Sequence, residues 1–210
     1  MRRRLAILGA SGHGRVVAET ARSIGWDSIV FFDDDNRRLH QLPESMRGGG
    51  FSVIASIAQE FDGVFVAVGA CVTRYQKLRQ LIDAGARIPA LIHKAAYVSD
   101  DVILGAGSLV CAGAVIQTGS RCGSGVIVNT GATIDHDCLL GDSVHVCPGA
   151  HLAGDVRVGD RAWVGIGASV IQGLSIGVDS VVGAGAAVDC DVPDSVTVVG
   201  VPARPIRARS

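Results

Sequence analysis

The sequence predicts two joined folds: a small α/β domain over residues 1–90, then a coil of short parallel strands over residues 91–200. Three observations predict them. Apolar residues recur at every sixth position from Val98 to Val188. Glycine, 28 of 210 residues, concentrates after residue 100. The first ninety residues alternate apolar runs with helical stretches and glycine turns.

The stretch RLAILGASGHGRVVAETARSIGW reads as strand, turn and helix. Leu5 to Leu8 make the strand, and Gly9, Ser11, Gly12 and Gly14 crowd the turn. Val16 to Ile24 make the helix, which Gly25 ends. SIVFFDDD, residues 28–35, is a second strand, and DGVFVAVG, residues 62–69, a third. TRYQKLRQLIDAG, residues 73–85, is another helix. This is a Rossmann-like, mostly parallel sheet. Asp33 lies nineteen residues past Gly14, near the spacing of a ribose-binding acid. The turn reads G-A-S-G-H-G and allows phosphates to approach amides at a helix N-terminus. Ninety residues supply only half of a doubly wound fold, so a single nucleotide or nucleotide-linked group fits better than a dinucleotide. His13 either contacts that ligand or braces the loop.

Residues 88–97 lead directly into the repeat. Its series runs Val98, Leu104, Val110, Ile116, Cys122, Val128, Ile134, Leu140, Val146, Leu152, Val158, Val164, Val170, Ile176, Val182, Val188. A helix of period 3.6 would smear a strict six around its surface. A coil with flat sides accommodates it: one aliphatic side chain per side points to the axis, and glycine serves the corners. Three sides give an eighteen-residue turn and about five coils between residues 98 and 188, stacked on a continuous core. Residues 189–210 break the phase, bring three prolines and read as a cap followed by a tail over 201–210.

Composition removes several function classes. A net charge of −1, from 19 basic and 20 acidic residues, offers no attraction to nucleic acid or a membrane surface. Arg2, Arg3 and Arg4 precede an apolar run too short for a signal peptide, and no run approaches a membrane span. The six cysteines have no CxxC or zinc spacing and read as thiols of a cytoplasmic protein; no metal is expected.

Three histidines fall within GATIDHDCLLGDSVHVCPGAH, residues 131–151. His136 stands two after Ile134, His145 five after Leu140, and His151 five after Val146. None occupies the inward series, so all are expected at or near corners, facing outward. No second ligand at tight spacing supports a metal, and no activated serine supports a triad. General-base chemistry remains: neutral imidazole accepts a proton, and a carboxylate fixes its other nitrogen. Asp135 and Asp137 both stand close enough to serve.

The hexapeptide series, GASGHG with FFDD, and ATIDHDCLLGDSVHV followed by GVPAR resemble the sialic acid O-acetyltransferase-like family of hexapeptide-repeat sugar acyltransferases. That family includes bacterial N-acetyltransferases of UDP-linked 4-amino-sugars. The resemblance covers nearly the whole chain. It implies a left-handed parallel β-helix of hexapeptide repeats, a homotrimer with its active site between subunits, and acetyl-CoA as donor to the amine of a nucleotide-linked amino-sugar such as a UDP-4-amino-4,6-dideoxy sugar. In this resemblance His136 is the general base. Asp137 stands where the family often has glutamate. His145 lies near the thioester carbonyl as a candidate oxyanion donor. Gly154, Ile166 and Ala184 match main-chain contacts to the pantetheine arm. Gly9, Ser11, His13, Asp33, Asp34 and Gly69 match the nucleotide-sugar side, and Asn129 contacts the sugar or braces a corner. Ala70 and Cys71 stand where amino-sugar relatives often carry asparagine. O-acetylation of a sialic acid and a non-catalytic nucleotide-sugar-binding trimer are the alternatives.

Overall fold

A computed structural model describes residues 3–206 of the chain. Arg2 of the basic run and residues 207–210 of the expected tail lie outside the described residues. The chain divides into two compact units, Met1–Lys94 and Ala95–Ser210.

The first unit is built on four parallel strands, β1 (Arg4–Leu8), β2 (Ser28–Phe32), β3 (Arg47–Gly49) and β4 (Gly63–Val66), in the order β3-β2-β1-β4. Leu5 to Leu8 are all buried, as a strand with neighbours on both edges requires, and Leu5 stands opposite both Ile29 and Gly63. The helices are α1 (Gly12–Ser23), α2 (Asn36–His40), α3 (Phe51–Ile57) and α4 (Cys71–Asp83). One core packs Leu8, Phe32, Ile54, Phe61, Val66 and Leu78 together, with the Phe32 and Phe61 rings edge to face at 5.9 Å. The sequence pattern ran β2 on to residue 35. It stops at Phe32: Asp33 still donates its N–H to Gly49 O at 2.9 Å, and its carboxylate accepts the backbone amides of Ala10 and Asp35. β3, α2 and α3 carry no strong apolar period and were not anticipated.

In the second unit, strands of two residues pair in parallel with partners eighteen residues away. His145 stands between Ile127 and Trp163, Thr133 is opposite His151, and Arg121 is opposite Leu139. The coil is therefore three-sided. Side one carries Ile127–Val128, His145–Val146 and Trp163–Val164; side two carries Thr133–Ile134, His151–Leu152 and Ser169–Val170; side three carries Arg121–Cys122, Leu139–Leu140 and Arg157–Val158. The chain runs from side two to three to one. Of the sixteen periodic positions, the fourteen from Val110 onward are at most 4% exposed, whereas Val98 and Leu104 in the first coil are half-buried. Burial of each such side chain contributes about 1.5–3 kcal/mol.

A second inward row escaped the sequence reading. Two residues before most of these aliphatics stands a buried one, often small, such as Ala132, Ala150, Ala162 or Ala168. Where it is serine, its hydroxyl satisfies corner backbone: Ser120 donates to Asp135 O at 2.9 Å and accepts from Cys138 N at 3.1 Å. Glycine was expected at the corners. Several corners are turned instead by non-glycine residues in the left-handed region, among them Asp137 at φ 59° and Asp155 at φ 55°. Residues 189–200 break the six-residue phase but still stack on the coil. Val192 pairs with Ile176, and Thr197–Val199 pairs with Val181–Val182, both sixteen residues apart, so the last coil is two residues shorter. Arg204–Pro205 then returns antiparallel on that strand.

Candidate active site

The corner joining sides two and three holds Asp135, His136, Asp137 and Cys138. Asp135 accepts the backbone N–H of His136 at 2.8 Å and so braces the main chain. Asp137 reaches the ring: its Oδ2 lies 2.9 Å from His136 Nδ1. An ionised carboxylate only accepts, so Nδ1 carries the proton and Nε2 presents a lone pair. The Asp137 hydrogen bond raises the pKa of His136 above its ordinary value, and the charges of Asp135, Asp137 and Asp155 add to it. The ring is 56% exposed, open to a substrate. One coil on, Gly154 lies against it: a Cβ there would stand 2.5 Å from Cε1 and Nε2.

His145 is elsewhere and differently placed. It was expected at an outward corner. It lies within a strand on the outer face of side one, opposite in direction to inward Val146, yet only 5% exposed. Trp163, its partner in the next coil, covers it with ring centroids 4.3 Å apart. Asn129 Nδ2 stands 3.1 Å from its Nε2, while Asn129 Oδ1 accepts Thr130 N at 2.8 Å. Asn129 therefore both braces a corner and orients this ring. In a three-sided coil, the corner between sides two and three faces side one across the core. The two imidazoles of one chain do not meet. Ile166 and Ala184 stack eighteen residues apart at the corner between sides one and two, and Ile166 is 60% exposed. His151 lies on side two with Nδ1 2.9 Å from Thr133 Oγ1.

The nucleotide-side residues gather in the first unit, around a cavity of about 370 Å³ lined by Gly9, Ser11, Asp33, Asp34 and Gly69, together with Asp35, Arg38, Phe51, Ala67, Val68 and Thr73. Gly9, at φ 115°, has no room for a side chain: a Cβ would stand 2.5 Å from Ala67 O. Asp33 lines this cavity and its carboxylate also accepts two backbone amides. It is 3% exposed, its Oδ2 accepts Ala10 N at 2.8 Å and its Oδ1 accepts Asp35 N at 2.9 Å. It ties the glycine turn to the end of β2. Asp34 accepts Phe51 N through Oδ1 at 2.8 Å. His13 is not among the cavity's lining residues. Burial, helped by the Arg74 charge, pushes its pKa down to about 4, so it is neutral at pH 7. A larger open groove of about 480 Å³ crosses side three past Leu139, Arg157 and Ser175, and neither His136 nor His145 lines it.

A model described as the PglD N-terminal domain matches residues 4–81. The acetyltransferase domain of PglB from Neisseria gonorrhoeae FA1090, in complex with acetyl coenzyme A, is 43% identical; the match covers 98% of this chain and 100% of that one, with a TM-score of 0.93. A variant of perosamine N-acetyltransferase from Caulobacter crescentus, in complex with CoA and GDP-perosamine, is 39% identical over 97% of both chains, with a TM-score of 0.91. The chain belongs to the hexapeptide-repeat family of bacterial nucleotide-amino-sugar N-acetyltransferases. WeeI from Acinetobacter baumannii AYE matches at 29% identity over 96% of this chain and 99% of that one, with a TM-score of 0.84.

As in the matched acetyltransferases, the coil is the left-handed β-helix of hexapeptide-repeat acyltransferases. Among the described residues no cluster of His, Cys, Asp and Glu could hold a metal, and no helix is long and apolar enough to cross a membrane. The sequence reading of this N-acetyltransferase missed one residue that lies behind the cavity wall and braces two of its lining residues. Arg74, 1% exposed, donates from Nη1 to Val68 O at 2.8 Å and to Gly69 O at 2.6 Å, setting the wall beside Gly69. The signal was present: Arg74 shares a helix face with buried Leu78 and Leu81, where a charge is rare.

Proposed function

We propose that this protein transfers the acetyl group of acetyl-CoA directly to the amine of a nucleotide-linked amino sugar, with His136 as general base. The observation that carries this is the His136 Nδ1–Asp137 Oδ2 bond of 2.9 Å, which leaves Nε2 exposed as a base of raised pKa. The neutral amine attacks the thioester carbonyl. The new C–N bond forms, Nε2 takes the amine proton, and the carbonyl oxygen becomes an oxyanion. The C–S bond then breaks and the thiolate leaves, protonated by the imidazolium. Asp137 stabilises that cation throughout.

The proposed catalyst is a homotrimer. In support, His136 and His145 occupy opposite parts of one coil, so a site using both needs a second chain. Gly154, against His136, and the exposed corner of Ile166 and Ala184 are the proposed contacts for the pantetheine arm, with His145 near the thioester. The first-unit cavity, with Gly9, Ser11, Asp34 and Gly69, is proposed to take the nucleotide, and Asp33, His13 and Arg74 to hold its walls. A UDP-linked 4-amino-4,6-dideoxy sugar is the first substrate to test and a GDP-linked one the second. The reaction is assigned to the cytoplasm, where acetyl-CoA and nucleotide sugars are both made.

The test follows thiol release from acetyl-CoA with UDP-, GDP- and dTDP-amino-sugars and with free sialic acid. Turnover of a nucleotide amino sugar that falls at least about 100-fold in His136→Ala is expected. Turnover of sialic acid alone, or an unimpaired His136→Ala, would reject the proposal.

A further inference from the structure

Asp137 occupies a corner slot that glycine fills at many other turns of the coil, and it takes the left-handed backbone that slot demands, at φ 59°. Its side chain is short and must fold back along the corner to meet the ring of the preceding residue. One coil earlier, directly beneath it, is Gly119 at φ 75°. A Cβ on Gly119 would collide with Asp137 Oδ1 and stand 3.2 Å from its Cγ. The carboxylate thus rests in the volume a side chain at position 119 would fill. Gly119 is itself tied down. Asp101 Oδ2 accepts both Gly119 N and Thr118 Oγ1 at 2.8 Å, and Asp137 N donates to Thr118 O at 3.0 Å.

We propose that Gly119 is a positioning residue for the His136–Asp137 pair: its missing side chain, held in place by Asp101, is what allows an acid on an aspartate arm to reach Nδ1. The proposal rests on the reading of His136 as the general base and adds what makes that base work. A side chain at 119 pushes the carboxylate off the ring. A glutamate at 137, one methylene longer, reaches past such an obstacle. Asp135, Asp137 and Asp155 are the acids that act on His136, Asp155 pairs with Arg157 at 3.7 Å, and the neighbouring Cys138 thiol turns onto Ala153 O at 3.2 Å. Of these groups, Asp137 alone is displaced by a change at 119.

The strain of placing alanine at positive φ has its own control. Gly113 has φ 71°, and its Cβ would meet nothing closer than Gly131 at 3.9 Å. The experiment titrates His136 by NMR in the full-length protein and measures kcat/KM against pH, for Gly119→Ala, Gly113→Ala, Asp101→Ala and the pair Gly119→Ala with Asp137→Glu. In Gly119→Ala the His136 midpoint should fall by about one pH unit, the acid limb of kcat/KM should move down with it, and the plateau should drop roughly tenfold. Gly113→Ala should leave all three unchanged, the double variant should recover the midpoint, and Asp101→Ala should give a smaller shift of the same sign. An unshifted midpoint in Gly119→Ala, or an equal shift in Gly113→Ala, overturns the proposal. If Gly119→Ala does not fold, an unshifted Asp101→Ala overturns it. The NMR midpoint needs no substrate, so a shifted midpoint in a protein that acetylates nothing would sink the proposed function and leave this inference standing.

Discussion

The imidazole of His136 lies on the bare Cα of Gly154, eighteen residues later in the chain, so closely that a methyl group there would stand 2.5 Å from two ring atoms. The relationship arises only because the coil repeats every eighteen residues. It limits where the ring can rest and which way Nε2 looks.

Gly154→Ala should therefore displace the ring without unfolding the coil, because His136 is exposed and has room to swing outward. The expected result is a fall in kcat of about 10- to 100-fold with little change in melting temperature. A loss of melting temperature equal to the loss of activity would mean that Gly154 acts on the fold instead.

Asp137→Asn should remove the main cause of the raised His136 pKa. The acid limb of kcat/KM should move to lower pH while the plateau falls. The same shift has a consequence for stability. A histidine whose folded pKa is raised stabilises the native state below its ordinary pKa, near 6.5, and loses that contribution as pH rises through the raised value. The difference in melting temperature between the parent and His136→Gln should be larger at pH 6 than at pH 9.

His13 should show the opposite sign. Its folded pKa, about 4, is below the ordinary 6.5, so its contribution is intact above 6.5 and is lost as pH falls toward 4. Urea titrations across that window should show a steep decline for the parent and a shallower one for His13→Gln. Equal slopes would remove His13 from the account of acid sensitivity.

Asp33→Asn should cost about 1–3 kcal/mol, because an amide nitrogen then faces a buried backbone N–H in place of an acceptor. It should raise KM for the nucleotide sugar more than it lowers kcat, since the tie it breaks holds the glycine turn. An unchanged KM with lowered stability would make the tie purely structural.

His145→Ala should destabilise the protein by about 2–4 kcal/mol, by opening a cavity beneath Trp163 and unpairing Asn129. At pH 9, where the raised His136 pKa no longer contributes, His136→Ala at an exposed corner should hardly change the melting temperature. The contrast between the two variants is measurable by thermal denaturation alone.

Much of this was legible in the chain. The inward series from Val110 to Val188 is a local, repeated choice, and so is the strand–turn–helix around Gly9. The small second row at Ala132 and Ala150 was equally visible, but alanine carries no pattern signal of its own. Asp137 also gave a clue, standing in a slot that glycine holds at many other corners. Asp135 and Asp137, by contrast, could not be ranked: one residue on either side of His136, they differ only in how the corner turns.

The sequence by itself determined the period, the inward residues and the presence of a carboxylate-flanked histidine off the axis, because each follows from spacing along a few residues. Tertiary structure alone decided which acid meets the ring, that Trp163 and Asn129 enclose His145, that Asp33 accepts the amides of Ala10 and Asp35, and that the two histidines face away from each other. Most of these contacts join residues 16 to 23 positions apart, across one coil or one crossover. Whether such groups touch depends on the register in which the layers stack, which appears only when the chain has closed on itself.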